Sequence, residues 1–170
     1  EAARLLSDAG WAITQDGGRN VLKNAKGEQL TVDFLLDSPL FERIALPYQQ
    51  SLELLGIGVS IKTVDSAQYE RQVQNFDYDV VVGNWGQSLS PGNEQRDYWS
   101  SAAADKEGTR NIIGIKSPAI DALIDRLIYA TDRTDLVAAA RALDRALLWG
   151  HYLVPQFHAP HDRIAYWDKF

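Results

Sequence analysis

Tyr78-Asp79-Val80-Val81-Val82-Gly83-Asn84-Trp85-Gly86-Gln87-Ser88-Leu89-Ser90-Pro91-Gly92-Asn93 reads as a strand running into a polar, glycine-punctuated loop. Three consecutive valines suit a strand covered on both faces, the environment of a parallel sheet in an α/β protein. In open α/β sheets the crevice just beyond the strand ends is where ligands sit. Trp85 supplies a flat apolar face there, and Asn84, Gln87 and Ser88 supply neutral donors and acceptors, a mixture that suits recognition better than catalysis. The same residues also admit a structural reading, in which Trp85 plugs the core with its indole N–H on a carbonyl and Gly86 and Gly92 are turn residues.

Upstream, residues 2–9 read as a helix with Ala2, Leu5, Leu6 and Ala9 on one face and no capping side chain before it. Short extended pieces at 11–14 and 21–22, separated by a Gly17-Gly18 turn, form a small hairpin appendage. Residues 30–36 alternate and then turn continuously apolar, a strand entering the interior. Ser38 as N-cap with Pro39 at the first helical position starts a helix that runs to about residue 55, with Ile44, Tyr48, Leu52 and Leu55 on its buried face, and Gly56 stops it. A strand at 57–64 and a short helix at 66–75 capped by Ser66 lead to the strand at 78–84. The order strand, helix, strand, helix, strand calls for partly parallel pairing with right-handed crossovers.

Downstream, residues 92–117 read as a loop with a short helix containing Tyr98 and Trp99. Ser117-Pro118 begins a helix carrying Ile120, Leu123, Ile124, Leu127 and Ile128. Asp132, with Asp135 three residues on, resembles a capping box before a second helix that ends at Gly150, so the two make an αα-hairpin. Residues 153–158 and 163–167 are candidate terminal strands, the first at an edge because it contains Pro155.

With 170 residues, 45% hydrophobic and 24% charged, the chain is long enough for one compact domain with a core. A formal charge of −6 with Lys and Arg scattered argues against nucleic acid as a partner. Zero cysteines exclude disulfides and thiolate zinc sites, and no apolar run reaches the roughly 18 residues that a membrane span needs. The absence of methionine, the uncapped first helix and the abrupt Asp168-Lys169-Phe170 end point to a piece of a longer protein.

His151, His158 and His161 are the only histidines. Pro160 keeps the last two off one regular helix, and no HExxH spacing or cysteine partner accompanies them, so no metal or cofactor is expected. Asp77 with Asp79 alternates along a strand. Asp121 with Asp125, followed by Arg126 and Arg133, reads as a solvated helix face or local ion pairing. No phosphate loop, GxSxG elbow or cysteine nucleophile is present.

Taken together, EAARLLSDAGW (1–11), LELLGIGVSIKTVDSAQYERQVQNFDYDVVV (52–82), NWGQSLSPGN (84–93), IKSPAIDALIDRL (115–127) and VPQFHAP (154–160) resemble the carboxy-terminal lobe of the dipeptide/oligopeptide-binding proteins of ABC importers, solute-binding family 5. The versions at 84–99 and 142–157 look most like the branch serving microcin C-type and murein-peptide uptake. The resemblance implies an α/β, periplasmic-binding-protein-like (type II) lobe: a mixed, partly parallel sheet flanked by helices, with a C-terminal helical hairpin. Residues 1–170 would then be a single domain, one lobe of a two-lobed periplasmic receptor whose precursor carries a signal peptide.

That receptor would close over a peptide or peptide-like ligand with its N-terminal lobe and deliver it to ABC permease subunits, with no catalysis. Trp85 matches the family's cleft tryptophan in a Trp-x-x-Asp-Tyr loop. Ser88 stands where the pattern has an aspartate and Leu89 where it has a tyrosine, so charge pairing with a ligand amine is lost at this position. Arg110, Asn111 and His158 are further cleft candidates by approximate position. Two competing readings are a hydrolase using His158 or His161 and a protein-interaction module.

Overall fold

The computed structural model describes residues 1–161, 163–167 and 169. Its sheet is built around strand β3 (Thr31–Leu36), with β4 (Gly58–Thr63) on one side and β5 (Val80–Val81) on the other, all parallel. Connecting them are helix α2 (Glu42–Glu53) between β3 and β4 and helix α3 (Ser66–Gln74) between β4 and β5. Ahead of the sheet come helix α1 (Ala2–Asp8) and an antiparallel hairpin, β1 (Ala12–Asp16) and β2 (Arg19–Lys23), turned at Gly17-Gly18. After it follow helix α4 (Glu94–Trp99) and the antiparallel pair α5 (Pro118–Ile128) and α6 (Arg133–Trp149). The strand–helix alternation, the hairpin appendage and the helical hairpin all stand as the sequence pattern implies.

The strand buried on both faces is β3, not β5. Phe34, Leu35 and Leu36 are almost fully covered, because β3 is central and takes hydrogen bonds on both edges. The three-valine stretch is an edge strand instead: only Val80 and Val81 pair, and Val82 is exposed. The Tyr69 hydroxyl donates to the Val82 carbonyl at 3.1 Å, so the chain has left β3 at the point where the loop begins. Burial pushes the Tyr69 phenol up to about 12. At the other end of β5 the Asp79 carboxylate accepts the Asp33 backbone N–H at 2.8 Å. That accounts for Asp79 structurally.

Several helix starts differ in detail. Ser38 accepts the Leu40 N–H, but it caps a single 3-10 turn (Pro39–Phe41) from which α2 continues. The covered side of α2 centres on Ala45, with Phe41 and Leu52 packed beside it and Tyr48 edge-on to Phe34 at 5.8 Å, while Ile44 faces outward. Asp65, one residue earlier than expected, caps α3 through the Gln68 N–H. Helix α1 forms, yet its Leu5 is exposed. Asp132 caps α6 by accepting the Asp135 N–H at 2.8 Å. The return half of the capping box is not made, because the Asp135 carboxylate pairs with Arg126 at 2.7 Å.

Residues 153–158 and 163–167 form no strand. Phe157, Ile164, Tyr166 and Trp167 are exposed. A strand exists only by pairing, and among the described residues no ladder runs to these segments. Asp168 and Phe170, read above as part of an abrupt end, lie outside the described residues. No helix among the described residues is long and apolar enough to cross a membrane.

The hairpin is fastened to the sheet by Leu22, which has no exposed surface and whose N–H donates to the Gly56 carbonyl at 2.7 Å. Gly56 has φ +84°, and a Cβ there would sit 2.6 Å from the Leu22 nitrogen. Gly56→Ala is therefore expected to destabilise the fold by about 1–3 kcal/mol through left-handed strain and the clash with β2. Urea unfolding followed by circular dichroism reads it, and an unchanged midpoint would show that the hairpin can lift away freely.

Two apolar clusters result. One joins Phe34, Leu36 and Ala45 between the sheet and α2. The other joins Tyr98, Trp99, Ile115, Ile120, Ile124, Leu127, Ala139 and Leu143 around the helical hairpin. The segment from Val82 to Asn93 runs from the first cluster to the second, and this sets the position of Trp85.

Candidate ligand-binding site

Trp85 leaves the sheet and lands on the helical-hairpin cluster. Its ring lies over Gly83, where a Cβ would come within 2.4 Å of it, and it meets the Trp99 ring at 5.0 Å between centroids with the planes tilted by 38°. Its Nε1 donates to the Arg110 carbonyl at 3.2 Å. The structural reading of Trp85, packed on the core with its indole bonded to a carbonyl, is thus what the geometry shows. The side chain is only partly buried, so this seating also leaves ring surface available to another molecule.

Trp99 is 4% exposed and meets the Tyr98 ring edge-on at 5.9 Å. Its Nε1 donates to the Gln95 side-chain oxygen at 3.0 Å, and the Gln95 amide nitrogen donates to the Gln87 side-chain oxygen at 2.7 Å. The Tyr98 hydroxyl donates to the Gly86 carbonyl at 3.1 Å. Gln95, Tyr98 and Trp99 therefore hold the loop at Trp85, Gly86 and Gln87. They were missed as site residues, although their i, i+3 and i+4 spacing places them on one face of a helix and was legible. Arg133 completes the seating from α6, donating to the Leu89 carbonyl at 2.8 Å; nothing in its local sequence marks that long-range contact.

The remaining candidates divide. Asn84, Gln87 and Ser88 are exposed on the loop. Gln87 is engaged with Gln95, Ser88 accepts the Ser90 N–H at 3.1 Å, and no bond among the described residues engages the Asn84 side chain. Leu89 is 89% exposed. Arg110 stacks its guanidinium over the Tyr98 ring, 4.7 Å from the centroid.

Asn111 is a correction. Its side chain is fully buried, donating to the Ser100 and Ile115 carbonyls at 3.0 and 3.1 Å and accepting the Ile115 N–H at 3.0 Å. With those three bonds it clamps the loop and offers a ligand nothing. His158 is exposed on coil instead of standing on a strand, and no hydrogen bond joins it or His161 to a carboxylate among the described residues.

Charges around the loop are mostly committed. Glu94 accepts the Gly92 N–H at 2.9 Å, and that bond holds its carboxyl below the usual carboxylate range. Asp125 pairs with Arg96 of α4 at 2.7 Å, and Asp121 accepts the Ser101 N–H at 2.8 Å. Asp125 is thus exposed and ion-paired, as the helix face reads, but its partner stands on α4 instead of on its own helix, while Asp121 anchors the segment that follows α4. Among the described residues no group of three His, Asp or Glu side chains is placed to share a metal ion. The arrangement offers stacking and neutral hydrogen bonding beside one guanidinium, which is the chemistry of binding.

The chain is similar to known proteins over nearly its whole length. It is 47% identical over 168 residues, 99% of the chain and 27% of the relative, to the probable peptide-binding protein YejA of Agrobacterium fabrum. It is 38% identical over 166 residues, 98% of the chain and 26% of the relative, to the peptidoglycan-binding protein YepA of the same organism. The chain thus spans about a quarter of the length of these relatives. The solved oligopeptide-binding protein AppA of Bacillus subtilis, in complex with a nonapeptide, superposes with a TM-score of 0.73 at 25% identity, over 86% of this chain and 28% of AppA. The fold is that of type II periplasmic binding proteins. Residues 1–107 match the model of the bacterial extracellular solute-binding proteins, family 5 Middle, and with the parallel sheet, the seated tryptophan loop and these relatives in agreement, the chain belongs to solute-binding family 5.

Proposed function

We propose that residues 1–170 are one domain, the C-terminal ligand-binding lobe of a larger two-lobed periplasmic substrate-binding protein of an ABC importer. The receptor captures oligopeptides or peptide-like solutes between this lobe and an N-terminal lobe, then delivers them to the permease subunits. The observation that carries this is Trp85: a tryptophan held from behind by Trp99 and Gly83, tethered by its indole, and rimmed by the neutral Asn84, Gln87 and Ser88. A pre-seated aromatic face binds with little ordering cost. The peptide-binding name of the YejA relative and the peptide held by AppA support the ligand class. The peptidoglycan-binding name of YepA supports peptide-like solutes within it.

Ligand capture then works through differential affinity. A ligand that contacts both lobes favours the closed state, and hinge closure follows from that preference. Main-chain hydrogen bonding with roomy side-chain pockets lets such a site accept varied sequences. The family is one of binding proteins, and no reaction is assigned to the chain.

Trp85→Ala in the full-length protein is expected to weaken binding of a retained peptide by about 1–3 kcal/mol. Isothermal titration with a tri- to octapeptide library reads the loss, and thermal unfolding in parallel separates it from the stability carried by the Trp99 contact. Unchanged affinity would remove Trp85 as an anchor and leave only its structural role.

A further inference from the structure

Arg110 borders the tryptophan loop, and among the described residues its guanidinium has neither a carboxylate nor a carbonyl partner. Its carbonyl is fixed by the Trp85 indole N–H at 3.2 Å, and the next residue, Asn111, is immobilised by its buried bonds to Ser100 and Ile115. Its guanidinium lies over the Tyr98 ring, 4.7 Å from the centroid, and that ring is itself held by the Gly86 carbonyl. Backbone and head group are thus both anchored to residues that seat Trp85. Among the described residues no carboxylate pairs with it, whereas the neighbouring cations are occupied: Arg96 by Asp125, Lys116 by Asp105 and Arg133 by the Leu89 carbonyl. The loop from Gly83 to Asn93 contains no charged residue. In a chain of formal charge −6, the recognition surface carries a pre-oriented positive fork.

We propose that Arg110 is a specificity-determining residue of this site and takes a carboxylate of the ligand, while Trp85 and the neutral amides take its uncharged part. The inference rests on the ligand-binding reading of the Trp85 loop. Guanidinium and carboxylate match as planar groups with two parallel N–H···O bonds, and a stacked guanidinium loses little freedom in forming them. The carboxylate is either a chain terminus or an acidic side group; the chemistry is the same and the probe set separates the two.

The test uses the full-length receptor and N-acetylated tetrapeptides, each made as the free acid and as the carboxamide, with a further carboxamide series containing one Asp or Glu. Wild-type protein is expected to bind free acids about tenfold or more tightly than their carboxamides, as one charge-assisted bidentate contact implies. Arg110→Gln abolishes that difference by weakening free acids selectively, down to the level of the carboxamides, and Arg110→Lys restores part of it. If acidic carboxamides are preferred instead, with the same dependence on Arg110, the carboxylate read is a side group and the proposal holds.

Equal wild-type affinity for acids and carboxamides overturns the proposal and leaves the receptor reading intact. So does an Arg110→Gln variant that weakens both forms alike, which would make Arg110 a prop for Tyr98. Wild-type protein that binds no peptide in either form overturns both readings.

Discussion

Trp99→Ala is expected to lower stability by about 3–5 kcal/mol, the range for removing a buried tryptophan from a packed core. Trp99 is 4% exposed at the centre of the hairpin cluster, and its ring meets both the Trp85 and the Tyr98 rings. Its loss opens a cavity against α5 and α6 and frees the Gln95 side chain, whose oxygen accepts the indole N–H. Because Gln95 in turn holds Gln87, the loop that carries the ligand face loses its backing in the same step. Urea unfolding by far-ultraviolet circular dichroism measures the first effect. An increase in acrylamide quenching of Trp85, read with the other tryptophans replaced by phenylalanine, measures the second. A loss below about 1 kcal/mol would mean that the aromatic stack is loosely packed, and the pre-seated site with it.

Asn111→Ala is expected to cost about 3 kcal/mol, less than the sum of its separate bonds. Its side chain has no exposed surface and satisfies the Ser100 and Ile115 carbonyls and the Ile115 N–H. Truncation leaves these groups in an apolar surround with no partner, and each unsatisfied group carries a penalty of about 1–3 kcal/mol before relaxation or an entering water recovers part of it. Asn111→Asp is expected to be nearly as damaging, since it keeps the acceptor, deletes both N–H donors and places a charge in the interior. Thermal unfolding of the two variants checks this, and tolerance of either would return Asn111 to the pool of ligand-facing groups. The distinction matters for the site, because the Asn111 clamp holds the backbone from which Arg110 projects.

The elements whose signals are local were legible from the residues. Ser117-Pro118, the 3.6-residue spacing of Ile120, Ile124 and Leu127, and the Asp132 cap define α5 and α6, and the structure has them as read. The Gly17-Gly18 turn defines the hairpin. The valine run misled for a clear reason: Val80-Val81-Val82 has the propensity of an interior strand, but propensity does not say which strand is central. Pairing on both edges fell to β3, and β5 was left at an edge with two paired residues. Terminal segments rich in apolar residues misled in the same way, since a strand requires a partner edge as well as a suitable composition.

The candidate site divides along the same line. The loop 84–93, with its tryptophan and neutral amides, was readable as a recognition surface. Asn111 and Arg110 are adjacent and were equally eligible by position, yet one is buried and saturated and the other is stacked, exposed and without a carboxylate partner among the described residues. No local pattern distinguishes them, because burial is decided by what packs on top. The same holds for Gln95, Tyr98 and Trp99, whose importance lies in touching residues 8 to 14 positions away, and for Arg133, which reaches the loop across 44 positions.

By itself, the sequence determined the order of strands and helices, the caps and turns that bound them, the family, and the presence of a tryptophan loop built for neutral contacts. These follow from backbone sterics, side-chain periodicity and capping, which act within a few residues. Only the tertiary structure decided that β3 is central and β5 an edge, that Trp85 rests on a stack anchored in the helical hairpin, and that Arg110 stands beside it with no carboxylate partner among the described residues. Those outcomes depend on which surfaces exclude water from one another, and that is settled by contacts between residues far apart in the chain.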